Sequence, residues 1–105
     1  MKIQFNTDKN VTGSEAIRTS TMSVISENLN RFEDRITRLE VHLSDENGNK
    51  IGQNDKRCMI EARLHGMKPI AVTNHANSHE LAITGAVDKL KSSIDKIEGR
   101  LREHK

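Results

Sequence analysis

Between Leu81 and Leu101 the chain reads LAITGAVDKLKSSIDKIEGRL. Its apolar residues Ile83, Val87, Leu90, Ile94, Ile97 and Leu101 are spaced by four, three, four, three and four, the period of one helix face. A long amphipathic helix is predicted here. Asn77 or Ser78 can cap its start, and the lysines and arginines toward its end complement the helix dipole. An advance of about 100° per residue puts Lys89, Lys96 and Arg100 in one narrow sector beside the apolar stripe. Ser93 shares that sector. Lys91 and Arg102 fall on the opposite flank near Asp95 and Glu98, which should partly neutralise them.

Upstream of this helix the period changes from helical to alternating. Cys58, Ile60, Ala62 and Leu64 alternate with Met59, Glu61, Arg63 and His65, and Gly66 to Pro69 turns the chain into Ile70, Ala71 and Val72. Two strands are expected. A third spans 35–44, with Leu39, Val41 and Leu43 inward and Arg38, Glu40 and His42 outward, followed by turn chemistry from Asp45 to Gly52. At the start, Ile3 and Phe5 alternate with Lys2, Gln4 and Asn6 as in a half-buried strand. Thr12 and Glu15 then have capping-box spacing, which predicts a helix from Gly13 to Leu29. Its stripe of Ile17, Val24, Ile25 and Phe32 is interrupted by Thr21 and Asn28.

The element order is therefore βαβββα, an α+β domain over residues 1–105 in which two helices cover one face of a four-stranded sheet. Arg38, His42, Arg63 and His65 are expected on the other, polar face, beside Glu40 and Glu61.

Composition narrows the function classes. Only 2% of the residues are aromatic and 33% hydrophobic, so the core is aliphatic. The net charge of +2 is too mild to announce nucleic-acid binding by itself. Its distribution is uneven: residues 1–55 carry seven Lys/Arg against nine Asp/Glu, whereas residues 56–105 carry ten against six. A lone cysteine excludes an internal disulfide, and no stretch approaches the roughly 20 apolar residues of a membrane span. With no apolar leader at the start, a cytoplasmic protein without a membrane partner is expected.

Candidate catalytic and metal-binding residues fare poorly. Asp45, Asn47 and Asn49 imitate the start of a calcium loop, but its sixth position is Lys50 instead of Gly and its twelfth Lys56 instead of Glu. His75 and His79 are four apart, yet His75 precedes the expected helix cap, so they read as loop and capping histidines. Cys58 sits in phase with the apolar residues of its strand, the position of a buried, inert thiol. There is no glycine-rich phosphate loop, no Gly-x-Ser-x-Gly elbow and no distinctive carboxylate pair. Neither an enzyme, a cofactor nor a small-molecule substrate is expected. What remains is the basic flank of the last helix, which can track phosphates without reading sequence. Helices also carry such residues simply as a solvated face.

Several stretches resemble the family of ribosome hibernation-promoting factors and ribosome-associated inhibitors. Asn10-Val11-Thr12 through Glu15-Ala16-Ile17-Arg18 is similar to the family's entry into its first helix, and Phe32 to Ile36 to its helix-to-strand corner. The last helix is the most similar, through Ala82-Ile83, Gly85, Val87-Asp88-Lys89-Leu90, Lys96 and Leu101. The resemblance implies a fold like a double-stranded-RNA-binding domain and a partner in the small ribosomal subunit. There, family members occupy the channel of messenger and transfer RNA and silence idle ribosomes under stress. It further implies the short form of the family, lacking the domain that pairs ribosomes. By the same resemblance Lys89 and Lys96 match positions that present basic groups to ribosomal RNA, and Arg100 continues the row; Lys91 and Arg102, placed by spacing on the other flank, complete the set of candidate contacts to ribosomal RNA. Where relatives commonly carry Arg between the two lysines, this chain has Ser92, and its first helix has Val24, Ser26 and Glu27 where lysines are frequent. The alternative reading is an interaction module that uses the same fold for a protein partner or a homodimer.

Overall fold

A strand that alternates apolar and polar residues can bury only one face. The computed structural model describes residues 1–9, 11, 13–46 and 55–103, with side chains described as far as Arg100. Its elements are β1 (Lys2–Thr7), α1 (Ser14–Leu29), a short 3-10 turn (Asn30–Phe32), β2 (Ile36–Asp45), β3 (Lys56–Leu64), β4 (Ile70–Ala76) and α2 (His79–Glu103). The βαβββα order expected from the sequence is the observed one. The strands form one sheet in the order β1-β2-β3-β4. β1 runs parallel to β2, a pairing that requires a crossover, and α1 supplies it. β2, β3 and β4 are successively antiparallel.

Register places Leu39 opposite Ala62, Val41 opposite Ile60 and Leu43 opposite Cys58, all buried under the helices. At the start of β2 the ladder shifts, with Ile36 opposite Leu64 but Arg38 opposite Arg63. One extra residue in β2 turns both Ile36 and Leu39 inward although they are three apart, which strict alternation forbids. The Thr37 hydroxyl donates to the Arg63 carbonyl across this bulge at 3.0 Å.

The first helix departs from expectation in two ways. Its N-cap is Gly13, held at φ +67° with no side-chain cap, so the helix starts one residue later than the capping box required. Thr12 of that box lies outside the described residues. The residues expected to interrupt its stripe are on the covered side. Thr21 is fully buried and donates from Oγ1 to the Ile17 carbonyl at 2.7 Å, and Asn28 donates from Nδ2 to the Val24 carbonyl at 2.8 Å. Each polar group is satisfied one turn back, which removes the penalty for burying it. Ile25 and Leu29 fill the core, whereas Ile17 and Val24 are only half-buried.

β4 is longer than its apolar start suggested and continues through Thr73, Asn74, His75 and Ala76. His75 is thus a strand residue instead of a loop residue, paired with Arg57 in register and bonded through Nε2 to Glu46 at 3.0 Å. His65, expected on the polar sheet face, instead follows the end of β3 as an exposed turn residue whose N–H donates to the Arg35 carbonyl.

α2 lies over β3 and β4 and beside α1. Ser78 caps it, accepting the Leu81 N–H on Oγ at 3.1 Å. Ile83, Val87, Leu90 and Ile94 are at most 1% exposed, and burial of each contributes about 1.5–3 kcal/mol. At the base of the β2–β3 hairpin, Lys56 Nζ bridges the buried carboxylates of Asp45 (2.8 Å) and Asp55 (3.3 Å). The Asp45 carboxylate foremost holds the Lys56 ammonium above its ordinary pKa, against the opposing effect of burial. Asp45 is thereby committed to an ion pair, while Asn47 and Asn49 of the calcium-like stretch lie outside the described residues.

Candidate nucleic-acid interface

The periodicity of α2 places its cations on two flanks, and the neighbouring elements make those flanks unlike. On the flank facing β4, the side chain of Asn74 points inward from the strand and donates from Nδ2 to the carbonyls of Leu81 (3.3 Å) and Ala82 (3.2 Å). The helix comes this close only because residue 85 is glycine: a Cβ there would collide with the Asn74 amide. One turn further along, Lys89 donates from Nζ to the Thr73 carbonyl at 2.8 Å. Thr73 lies on the terminal strand of the sheet, so this carbonyl is an edge group that Lys89 covers.

Asp88, Lys89, Ser92, Ser93 and Lys96 line a shallow groove against Val72 and Thr73. Lys96 and Arg100 are exposed and enter no ion pair among the described residues. The groove therefore presents ammonium groups and hydroxyls, donors suited to phosphate oxygens, on a rigid helix. Sequence reasoning placed Lys89, Lys96 and Arg100 on one flank; the structure brings Lys89 and Lys96 together in the groove, and Arg100 follows one turn after Lys96 on the same helix. It did not identify Thr73, Asn74 or Gly85. Asn74 falls in the inward phase of β4, and Gly85 interrupts an otherwise good helix; those two irregularities were the available signals.

The other flank is organised around α1 and the turn that follows it. Asp95 accepts from Arg31 Nη2 on both carboxylate oxygens at 3.0 and 2.8 Å, and Glu98 pairs with Arg35 at 3.3 Å. Asp95 thus pairs with Arg31, and no ion pair between it and Lys91, one helical turn earlier, occurs among the described residues. Arg31 also lies over the Phe32 ring, 4.5 Å from its centroid. Lys91 is half-buried on this flank, and the side chain of Arg102 lies outside the described residues.

The polar sheet face offers less positive charge than its composition suggests. Arg38 pairs with Glu40 at 2.9 Å, Arg63 with Glu61 at 3.7 Å, and Arg57 and His75 with Glu46 at 4.0 and 3.0 Å. His42 lies 3.7 Å from Glu40. These pairs are exposed enough to add little stability, but they cancel the local field.

Cys58 is fully buried, and desolvation pushes its thiol up to about 12 against the weaker opposing effect of Arg57. A thiol so placed is protonated and unreactive at neutral pH. His79 opens α2 with its Nδ1 buried and unbonded. Burial, followed by the nearby Lys56, holds its pKa below the ordinary histidine value. No group of three or more metal-ligating side chains occurs among the described residues, and no helix there is long and apolar enough to cross a membrane.

The family model described as sigma 54 modulation protein / S30EA ribosomal protein matches residues 5–103. Among solved structures, the chain is similar to the N-terminal domain of Protein Y from Thermus thermophilus, with a TM-score of 0.72 and 24% identity over 92% of this chain and 99% of that one. It is likewise similar to a ribosomal subunit interface protein from Coxiella burnetii, with a TM-score of 0.76 and 17% identity over 94% and 99% of the two chains. No curated protein matches the chain significantly. The extent of the family match, with the shared fold, makes the chain a member of the sigma-54 modulation protein / S30EA ribosomal protein family.

Proposed function

We propose that this protein binds the small ribosomal subunit through ribosomal RNA in the channel of messenger and transfer RNA, and so silences translation in idle ribosomes under stress. It acts as a steric plug, a binding module and not an enzyme. The observation that carries this reading is the pair Lys89 and Lys96 in the groove against β4, with Arg100 one turn further along the same helix, in a chain of the S30EA ribosomal protein family. Lys91 and Arg102 reinforce it from the opposite flank. The likeness to a ribosomal subunit interface protein from Coxiella burnetii supports a partner in the ribosome.

Sedimentation with purified ribosomal subunits tests the proposal. The protein is expected to comigrate with small subunits at low salt and to be released as salt rises, because each phosphate neutralised releases a counterion. A protein that stays at the top of the gradient at low salt overturns the reading. Binding that survives high salt points instead to an apolar protein interface.

A further inference from the structure

The half-buried Ile17 and Val24 of α1, with Thr84 and the buried Ile83 of α2, line a groove of about 530 Å³ between the two helices. Ser20 and other small residues of α1 line one wall, so a polypeptide backbone can approach closely. The charged residues of the lining are Glu27 and Glu80, both exposed, and neither enters an ion pair among the described residues. No lysine or arginine lines the groove.

We propose that this groove docks a lysine- and arginine-rich polypeptide segment carrying one aliphatic anchor. The apolar floor selects the anchor, and the two uncompensated carboxylates select its cations. The same carboxylates repel phosphate, so RNA is the wrong occupant here just as it is the fitting one on the opposite flank of α2. The first turns of helix α2 thus face a basic protein segment across the α1 groove, while the later turns carry the cations proposed for nucleic acid. Such rim charges act mainly on encounter rate and salt dependence, so the affinity expected is modest, micromolar or weaker. The inference stands independently of the RNA reading, since none of its residues belongs to the basic row.

The chain contains no tryptophan and no tyrosine, so a peptide bearing one Trp reports binding without protein background. The probe is a twelve-residue peptide rich in Lys and Arg with a single Trp-Leu anchor, titrated into the whole protein by fluorescence. Amide shifts in the nuclear magnetic resonance spectrum locate the site. The expected result is saturable binding that shifts amides of α1 and the first turns of α2, weakens at least tenfold in the Glu27→Lys, Glu80→Lys double variant, and is absent for the same peptide with Glu in place of its cations. Small-subunit comigration of that variant should be retained or strengthened by its added positive charge, never lost, which separates failure here from failure of the RNA reading. Ser20→Arg, which fills the groove, should also block the peptide. No binding, binding insensitive to both variants, or shifts confined to the sheet face overturns the proposal. So does a protein dimer in sedimentation velocity that Ser20→Arg dissolves, because a second copy is then the occupant.

Discussion

Toward β4, helix α2 is held by an amide clamp and a glycine contact, and its cations lie over open strand edge; toward α1, the same helix meets half-buried aliphatics and arginines that take up its carboxylates. Both flanks border one apolar stripe, but α2 carries Asp95 and Glu98 on one of them, and Arg31 and Arg35 of the neighbouring segment pair with those carboxylates. The charge a helix flank offers a ligand is what remains after such pairing with its neighbours. Counting charges along the helix cannot reveal that.

The largest effect should come from inverting the basic flank. Reversing Lys89, Lys96 and Arg100 to Glu is expected to weaken small-subunit binding on the order of 100-fold or more. The salt dependence measured on the residual binding should flatten by roughly two to three in log–log slope. Circular dichroism should show the fold intact, since Lys96 and Arg100 are exposed. Unchanged binding would dissolve the distinction between the flanks.

Next comes the clamp. Gly85→Ala drives a methyl group into the Asn74 amide and should cost about 1–3 kcal/mol in chemical denaturation, as overpacking does. Asn74→Ala alone removes two hydrogen bonds to helix carbonyls and should cost about 1 kcal/mol. The double variant should be more stable than the sum of the single losses predicts, because the smaller side chain vacates the space the methyl needs. Strict additivity would mean that the close approach does not depend on this contact.

The α1 flank should be far more tolerant. Arg31 and Asp95 are 59% and 48% exposed, so Arg31→Ala is expected to cost less than about 1 kcal/mol. A larger loss in thermal unfolding would give that flank a rigidity the geometry does not suggest.

The smallest effect belongs to His79, where the flanks share their first turn. Its pKa is held down in the folded protein, so the unfolded chain binds the proton more readily. Stability should be complete above the ordinary histidine value of about 6.5 and decline as pH falls from there to the folded value, then level off. His79→Gln should flatten that segment of a stability-against-pH curve; Lys56, Asp45, Asp8 and Asp55 surround the ring and remain in the variant.

Much of this architecture was legible because its signals are strictly periodic. The stripe from Ile83 to Ile94 and the alternation from Cys58 to Leu64 each reflect one buried face, and both are buried as expected. α1 was harder because Thr21 and Asn28 satisfy themselves against their own helix, so polar residues occupy a covered face. The extent of β4 was hidden because Asn74 faces inward to bond α2, a use of a polar residue that only the tertiary contact explains. The parallel pairing of β1 with β2 is likewise a property of the assembled sheet. For the candidate interface, the phase of the cations could be read from spacing. The engagement of Asp95 by Arg31, sixty-four residues earlier, could not.

The bond from Lys89 to the Thr73 carbonyl gives a proposed RNA contact a second task, the covering of a sheet edge. A sheet whose last strand is bare invites pairing with another molecule's strand, and a charged side chain laid along it is one of the ways proteins prevent this. Residue 89 therefore guards the solubility of the protein as well as its charge. Lys89→Ala stock should turn turbid or form higher-order species at concentrations where Lys96→Ala stays clear, although the two variants lose the same charge.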